Sequence, residues 1–339
     1  MNKVKKSDRA ELWLKVQQKF PEANFLQSPE WGKMNELVGH KAIFTDFADR
    51  GWCLMIVKNA KRGRYLEVPG GPLIDWQDNA LIKAAFDEIK SVAKREKCVF
   101  IRLRPQLRAS AQNTKILQTQ GCQKAPMHLH AEHTVMLDLT KSEDDLLKEM
   151  RRQTRYEVRR SERLGISVWY ANSEKIFREF RAVQAETAAR QGFVPPDLKT
   201  ILAERTAFGQ NIRIYVAQTN DAQPIAYGLV FWSGEEAEYF EAASTELNHK
   251  LPGAYALQWQ AIKDLKKLGL KRYNLWGIAP KDANGKVSTG HRYAGVTTFK
   301  TGFGGEVVEF ISAQDIIISR PKYLLNWLVE TIRRKARKL

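Results

Sequence analysis

The segments "EIKSVAKREKCVFIRLRP" (88–105) and "AIKDLKKLGLKRYNLWGI" (261–278) share one pattern: an amphipathic helix ending in lysines, then an apolar strand. A second correspondence accompanies them. Tyr65-Leu66-Glu67 comes after one apolar strand and Tyr239-Phe240-Glu241 after another, at an offset one residue away from that of the helix–strand pair. Two ordered matches at nearly one offset indicate a duplicated α/β unit, the alternative being two unrelated α/β segments with generic patterns.

Working outward, alternation and turn signals predict strands at "GWCLMIVK", "RYLEVPGG" and "CVFIRLRP" in the first half, with helices near 8–19 and 79–96. The second half offers strands at "ISVWYA", "IRIYVAQ", "PIAYGLVFW", "AEYFEAAS", "RYNLWG" and "TTFKTGF", and helices near 142–164, 174–190, 197–207 and 254–268. Strands and helices interleave throughout, so the expected class is α/β with a mixed sheet. At 339 residues the chain exceeds the length, roughly 250–300, at which one hydrophobic core stops growing. Two domains are therefore expected, 1–141 and 142–311, with a C-terminal helix in 312–339 packing back on the first.

The formal net charge of +17 points to an anionic partner: nucleic acid, a phosphorylated small molecule or an anionic membrane surface. Apolar runs such as "WCLMIV" (52–57) fall far short of the ~20 residues that span a bilayer. The charged start "MNKVKKSDRAELW" lacks a secretory core, so a cytoplasmic protein is expected. Cys53, Cys98 and Cys122 are widely spaced, which suits reduced thiols better than a disulfide frame or zinc site. "HLHAEH" (128–133) lacks further ligands at metal spacing, and no metal is expected.

Ser142, followed three residues later by Asp145, is a candidate N-cap for one long helix. Along it Leu146, Met150, Thr154 and Val158 make a core-facing row, and Arg151, Arg155, Arg159 and Arg163 make the next row, ~18 Å long at 1.5 Å per residue. Four aligned guanidinium groups either form a solvated face relieved by Glu157 and Glu162 or track phosphates. Further on, "GVTTFKTGFGGEVVEF" (295–310) reads as two strand-like arms around a glycine-rich centre. Its one lysine, Lys300, either faces water or points at something anionic.

Five blocks, "NFLQSPEWGKM", "GGPLID", "LDLTKSEDDLLKEMRRQTRYEVRRSERLGI", "LKRYNLWGI" and "FKTGFGGEVVEF", resemble in this order the FemABX family, and the chain looks like its shorter FemX-type members. The resemblance implies tandem GCN5-related N-acetyltransferase-like domains. It also implies an aminoacyltransferase of cell wall synthesis, moving an amino acid from aminoacyl-tRNA to the stem peptide of a peptidoglycan precursor, lipid II or UDP-MurNAc-pentapeptide, with no cofactor. An aminoacyl ester is already activated, so an amine can attack it without a protein nucleophile; catalysis reduces to positioning and to stabilising the developing oxyanion. Both substrates are polyanions, in keeping with the basic composition.

By the same resemblance Lys300 is the catalytic candidate, and Lys33, Phe299, Gly302, Tyr239, Glu241 and Arg104 form the substrate-binding set, with the glycines letting backbone approach the ligand. Arg151, Arg155 and Arg159 are the candidate tRNA phosphate contacts. Glu241 stands where the family has a tyrosine, Arg104 replaces an expected acidic residue, and Pro195 and Lys199 occupy the place of an expected arginine and tyrosine. These departures make a lipid-linked acceptor as reasonable as a nucleotide-linked one. In "YLLNWLVETIRRKARKL", Leu324, Leu325, Leu328 and Ile332 can share one helix side, followed by Arg333, Arg334, Lys335, Arg337 and Lys338. That end either meets an anionic membrane or docks on the first domain. The chain is expected to be a monomer. Two rival readings are a coenzyme A-dependent N-acyltransferase, for which "NHKLPGAYALQW" (248–259) lacks a glycine-rich pyrophosphate loop, and a non-catalytic tRNA-binding protein.

Overall fold

The computed structural model describes residues 2–280, 287–288 and 290–336. In chain order the elements are β1 (Asn2–Lys3), α1 (Arg9–Lys19), α2 (Pro29–Leu37), β2 (Lys41–Asp46), β3 (Gly51–Ala60), β4 (Gly63–Gly70), β5 (Leu73–Ile74), α3 (Asn79–Arg95), β6 (Phe100–Pro105), α4 (Ala111–Thr119), β7 (Gln123–Lys124) and β8 (His133–Asp138). There follow α5 (Glu143–Glu149), α6 (Arg152–Arg163), β9 (Ser167–Ala171), α7 (Glu174–Gln191), α8 (Leu198–Phe208), β10 (Ile212–Gln218), β11 (Pro224–Ser233), β12 (Glu236–Ser244), α9 (Gly253–Lys267), β13 (Arg272–Gly277), α10 (Ala294–Thr301), β14 (Glu306–Glu309), β15 (Gln314–Ile317) and α11 (Arg320–Ala336).

Two mixed sheets result. One runs β1-β2-β3-β4-β6-β15-β7 with β5 beside β3, and the other runs β14-β8-β13-β12-β11-β10-β9. Each has an antiparallel meander followed by a parallel pair joined through a helix: β4 and β6 through α3, β12 and β13 through α9. The chain divides into Met1–His133 with Thr289–Arg292 and Val308–Leu339, and Thr134–Ser288 with Tyr293–Val307. β8, which precedes the boundary expected at 141, lies in the second sheet, against β13.

Each core follows its crossover helix. In the first unit Leu81, Ile82, Ala85, Phe86, Ile89 and Val92 of α3 are buried at helical spacing against Met55, Leu66, Val68, Ile101 and Leu103 of the sheet. In the second, Leu257, Ala261, Ile262 and Leu265 of α9 meet Tyr215, Val230, Ala237 and Tyr273.

Two expectations are corrected. "TTFKTGF" is not a strand: Ala294–Thr301 is helical, because Phe299 and Phe303, four apart, stack edge-on at 5.2 Å and Thr297 and Thr301 hydroxyls donate back to the carbonyls of Tyr293 and Thr297. The period-four pairing overrides an apparent alternation. Nor is 142–164 one helix, since Met150 and Arg151 are extended (ψ 142° and 144°) and split it into α5 and α6. Ser142 does cap the first piece, accepting from the Asp145 amide at 3.1 Å.

Candidate active site

The break in that helix is held by the arginines the sequence assigned to phosphate. Arg155 Nη1 donates to the carbonyl oxygens of Leu147, Lys148 and Met150 (3.1, 2.8 and 3.0 Å), closing the C-terminus of α5. Arg151 donates through its side chain to the Thr298 carbonyl and through its amide to that of Gly302 (2.8 Å). The expected four-arginine ridge is therefore not one row: Arg151 and Arg155 brace α5, α6 and α10, while Arg159 stands exposed on α6.

The glycines serve the same junction. A Cβ on Gly302 would lie 2.3 Å from Thr154 Oγ1, and one on Gly305, whose φ is +78°, 2.4 Å from the Met136 carbonyl oxygen. They admit α6 and β8, neighbouring protein segments, where a ligand was expected. Phe299 lies in an aromatic cluster, 5.1 Å edge-on from Tyr255.

This packing delivers Lys300 to one particular place. β12 and β13 pair in parallel only at Glu236–Arg272, Ala237–Tyr273 and Glu238–Asn274. Beyond that point both strands are irregular. On β12, Tyr239 faces Val230 and Glu241 faces Leu229, so Phe240 is an extra, bulged residue. On β13, Asn274 pairs with Met136 and Gly277 next with Thr134; in between, Trp276 has φ +63° and its amide donates to Asn274 Oδ1 at 2.9 Å. β12 and β13 cease to pair here, so their backbone polar groups take partners outside the β12–β13 ladder.

Lys300 answers one of them. Its Nζ donates to the Gly277 carbonyl at 2.9 Å and lies 5.8 Å from the ring centroid of Tyr239. The residue is 8% exposed, no carboxylate among the described residues pairs with it, and burial lowers its pKa to about 7. The Thr297 hydroxyl, one turn earlier, accepts from the Ala279 amide at 2.8 Å and ties α10 to the chain leaving β13. Lys300 is thus neither on a strand nor solvent-facing. Past the bulge on β12, Glu241 accepts from Gln184 Nε2 of α7 at 2.7 Å, and Glu204 of α8, 2% exposed, adds a second carboxyl that interacts with it. Burial raises both carboxyls, and Glu241 further raises Glu204.

Of the other candidate residues, Tyr239 lies beside Lys300, while Arg104 and Lys33 belong to the first unit. Tyr239 is buried with its pKa raised by burial to about 12. Arg104 is sealed in the first unit at 1% exposure, with Nη1 on Gln106 Oε1 (2.8 Å) and its pKa lowered to about 10 by burial despite Glu132. Lys33 is exposed on α2. Gln184 and Glu204 escape a reading of the sequence. For Glu204 a signal exists: it interrupts the apolar face made by Ile201, Ala207 and Phe208.

A sheet of this order, with its parallel pair unzipped beside a crossover helix and a partner unit of like topology in the same chain, defines a tandem acetyltransferase-like protein. A tandem GNAT protein from the clavulanic acid biosynthesis pathway shares the fold, with TM-score 0.57 over 92% of this chain and 96% of that one at 9% identity. The crystal structure of FemX matches with TM-score 0.81 over 96% of this chain and 99% of that one at 17% identity. The model of the FemAB family matches residues 14–223 and 203–331, and the chain belongs to that family of transferases. The relative named aminoacyltransferase FemA, from Staphylococcus aureus (strain MRSA252), is 20% identical over 345 residues, covering 77% of this chain and 81% of that protein.

Proposed function

We propose that the protein is an aminoacyltransferase that moves an amino acid from aminoacyl-tRNA onto an amine of the stem peptide of a peptidoglycan precursor, in the cytoplasm. The observation that carries this reading is Lys300: a buried amine with no acidic partner among the described residues, at the point where β12 and β13 part, in a chain of the FemAB family.

An amine whose pKa lies near 7 is part neutral at physiological pH and suits general base work. Neutral Lys300 takes the proton from the attacking acceptor nitrogen as the new C–N bond forms on the ester carbonyl carbon. The ammonium so created stands beside the tetrahedral oxyanion. When the C–O bond to the ribose breaks, the same proton passes to the departing ribose oxygen, and an amide and free tRNA result. Glu241 and Tyr239 are the proposed substrate contacts of the second unit, with Phe299 and Gly302 supporting Lys300 and Arg159 left as a phosphate contact; exposed Lys33 is a separate candidate contact on the first unit. Buried Arg104 carries no assigned contact.

Coenzyme A chemistry has less support. At the start of α9 the Ala254 amide already donates to Asn248 Oδ1 (3.0 Å), and a Cβ on Gly253 would lie 2.4 Å from Ile225 Cγ2, so that glycine serves packing. The test is incubation with a mixture of charged tRNAs and either nucleotide-linked or lipid-linked precursor, read by mass spectrometry. A product heavier by an aminoacyl residue is expected. Transfer from acetyl coenzyme A, or none from any charged tRNA, would overturn the proposal.

A further inference from the structure

α11 is an amphipathic helix docked the wrong way round. Surface helices ordinarily turn their apolar stripe inward. Here the inward side is polar: the Tyr323 hydroxyl donates to Asp315 Oδ2 (2.9 Å), Asn326 Oδ1 accepts from Arg62 Nε (3.1 Å), and Glu330 accepts from Arg102 Nη2 (2.7 Å). Tyr323 also meets Phe100 edge-on at 5.5 Å. With three anchors spread over two turns, the helix is fixed in this orientation.

The outward side is apolar. Leu324, Leu325, Leu328 and Ile332 are 64, 57, 52 and 58% exposed. At 3.6 residues per turn they cover an arc of about 100°, opposite Tyr323, Asn326 and Glu330. Trp327, 42% exposed, flanks the stripe. A contiguous patch of this kind marks an interaction surface, whereas single exposed leucines do not.

Charge identifies the occupant. Arg320 and Lys322 are exposed at the start of the helix, Arg333 is exposed and Arg334 half-buried near its end, and the one acid of the helix, Glu330, is held by Arg102. Two cations in a first turn oppose the helix dipole, so the arrangement disfavours the isolated helix and favours an external anion. A second copy would bring like charges together. Aliphatic side chains in the middle, cations at both ends and an indole at the margin match the boundary of an anionic bilayer. We propose that the outer face of α11 docks this protein on the surface of an anionic lipid membrane. Lys335, Arg337 and Lys338, also assigned by sequence to the basic end, lie outside the described side chains.

The test uses the full-length protein without substrates, so its outcome is independent of the transfer reaction. Co-sedimentation is measured with vesicles of phosphatidylcholine alone and of phosphatidylcholine mixed with phosphatidylglycerol, at low and high salt. Preference for the mixed vesicles is expected. Replacing Leu324, Leu325, Leu328 and Ile332 together by Ser should lower partitioning by ~tenfold or more, and Arg320→Gln with Lys322→Gln and Arg333→Gln should weaken it similarly and flatten its salt dependence. All seven positions are exposed, and unchanged thermal melting verifies the fold. The proposal is overturned if the wild type ignores anionic vesicles, if both variants bind as the wild type does, or if light scattering shows a lipid-free dimer that the serine variant dissociates.

Discussion

β4–β6 and β12–β13 are the same pair of strands in two copies of one plan, and they have opposite fates. β4 and β6 pair without interruption from Leu66–Ile101 to Gly70–Pro105. Two of their charges are compensated, Arg104 being the exception: Arg102 is held by Asp315 through two bonds of 2.8 Å and by Glu330, and Glu67, raised by burial, is brought down to about 2 by Lys58 and His130. β12 and β13 separate after Asn274, and for the ionisable groups of this copy burial outweighs the compensating neighbours, Arg272 for Glu238 and Gln184 with Arg181 for Glu241. Lys300 falls to about 7, while Glu204, Glu238 and Glu241 are pushed up by burial. Under the proposed function the closed copy is the scaffold and the open copy the reaction site, where strain and buried ionisable groups are tolerated for function.

That contrast can be broken or sharpened by mutation, the largest effect being expected at Lys300. Lys300→Met should lower turnover ~10²–10⁴-fold while raising the thermal midpoint, since it removes a buried cation. Because the folded pKa lies below the usual 10.5, the unfolded chain binds more protons between pH 7 and 10.5, so wild-type stability climbs through that window and the gain from Lys300→Met is greatest at or below pH 7. Wild-type turnover should rise with pH through about 7 as the amine becomes neutral, a step that Lys300→Arg abolishes. A variant with normal turnover would end the distinction between the two copies.

In the closed copy, Asp315→Asn should destabilise the fold by ~1–3 kcal/mol by weakening the paired bonds to Arg102 and leaving Glu330 as its one anionic partner, as denaturant titration would reveal. The two matched glutamates should respond to pH in opposite senses. Glu67 contributes stability above pH 4.5 that is lost toward pH 2; protonated Glu241 contributes stability below 4.5 that is lost as pH rises through about 7. Each dependence, on the order of 1–3 kcal/mol, should vanish in Glu67→Gln or Glu241→Gln respectively. Gly302→Ala should cost ~1–3 kcal/mol by driving a methyl into Thr154, with a smaller loss of turnover than at Lys300. The smallest change is expected for Arg159→Gln: stability within ~0.5 kcal/mol and a modest, salt-sensitive loss of tRNA affinity.

Much of this is legible in the amino-acid order. The repeat of helix and strand at 88–105 and 261–278 becomes α3–β6 and α9–β13, and most strands fall where alternation puts them. Lys300 can be singled out as a residue, but its setting cannot. The bulge at Phe240, the turn at Trp276 and the splice at Met150–Arg151 leave no periodic trace, because each depends on contacts between residues far apart in the chain. The same holds for Arg151 and Arg155, whose spacing fits a phosphate ridge and a helix brace equally well.

The sequence by itself determined the α/β class, the doubling of the unit and the residue types available for chemistry, since hydrophobic period and turn residues act locally. Only the tertiary structure decided that one copy closes and the other opens, that Lys300 loses its water, and that α11 turns its leucines outward. Solvation of an amine and pairing of a carboxylate are set by what packs around them, and that packing is assembled from segments that no local pattern joins.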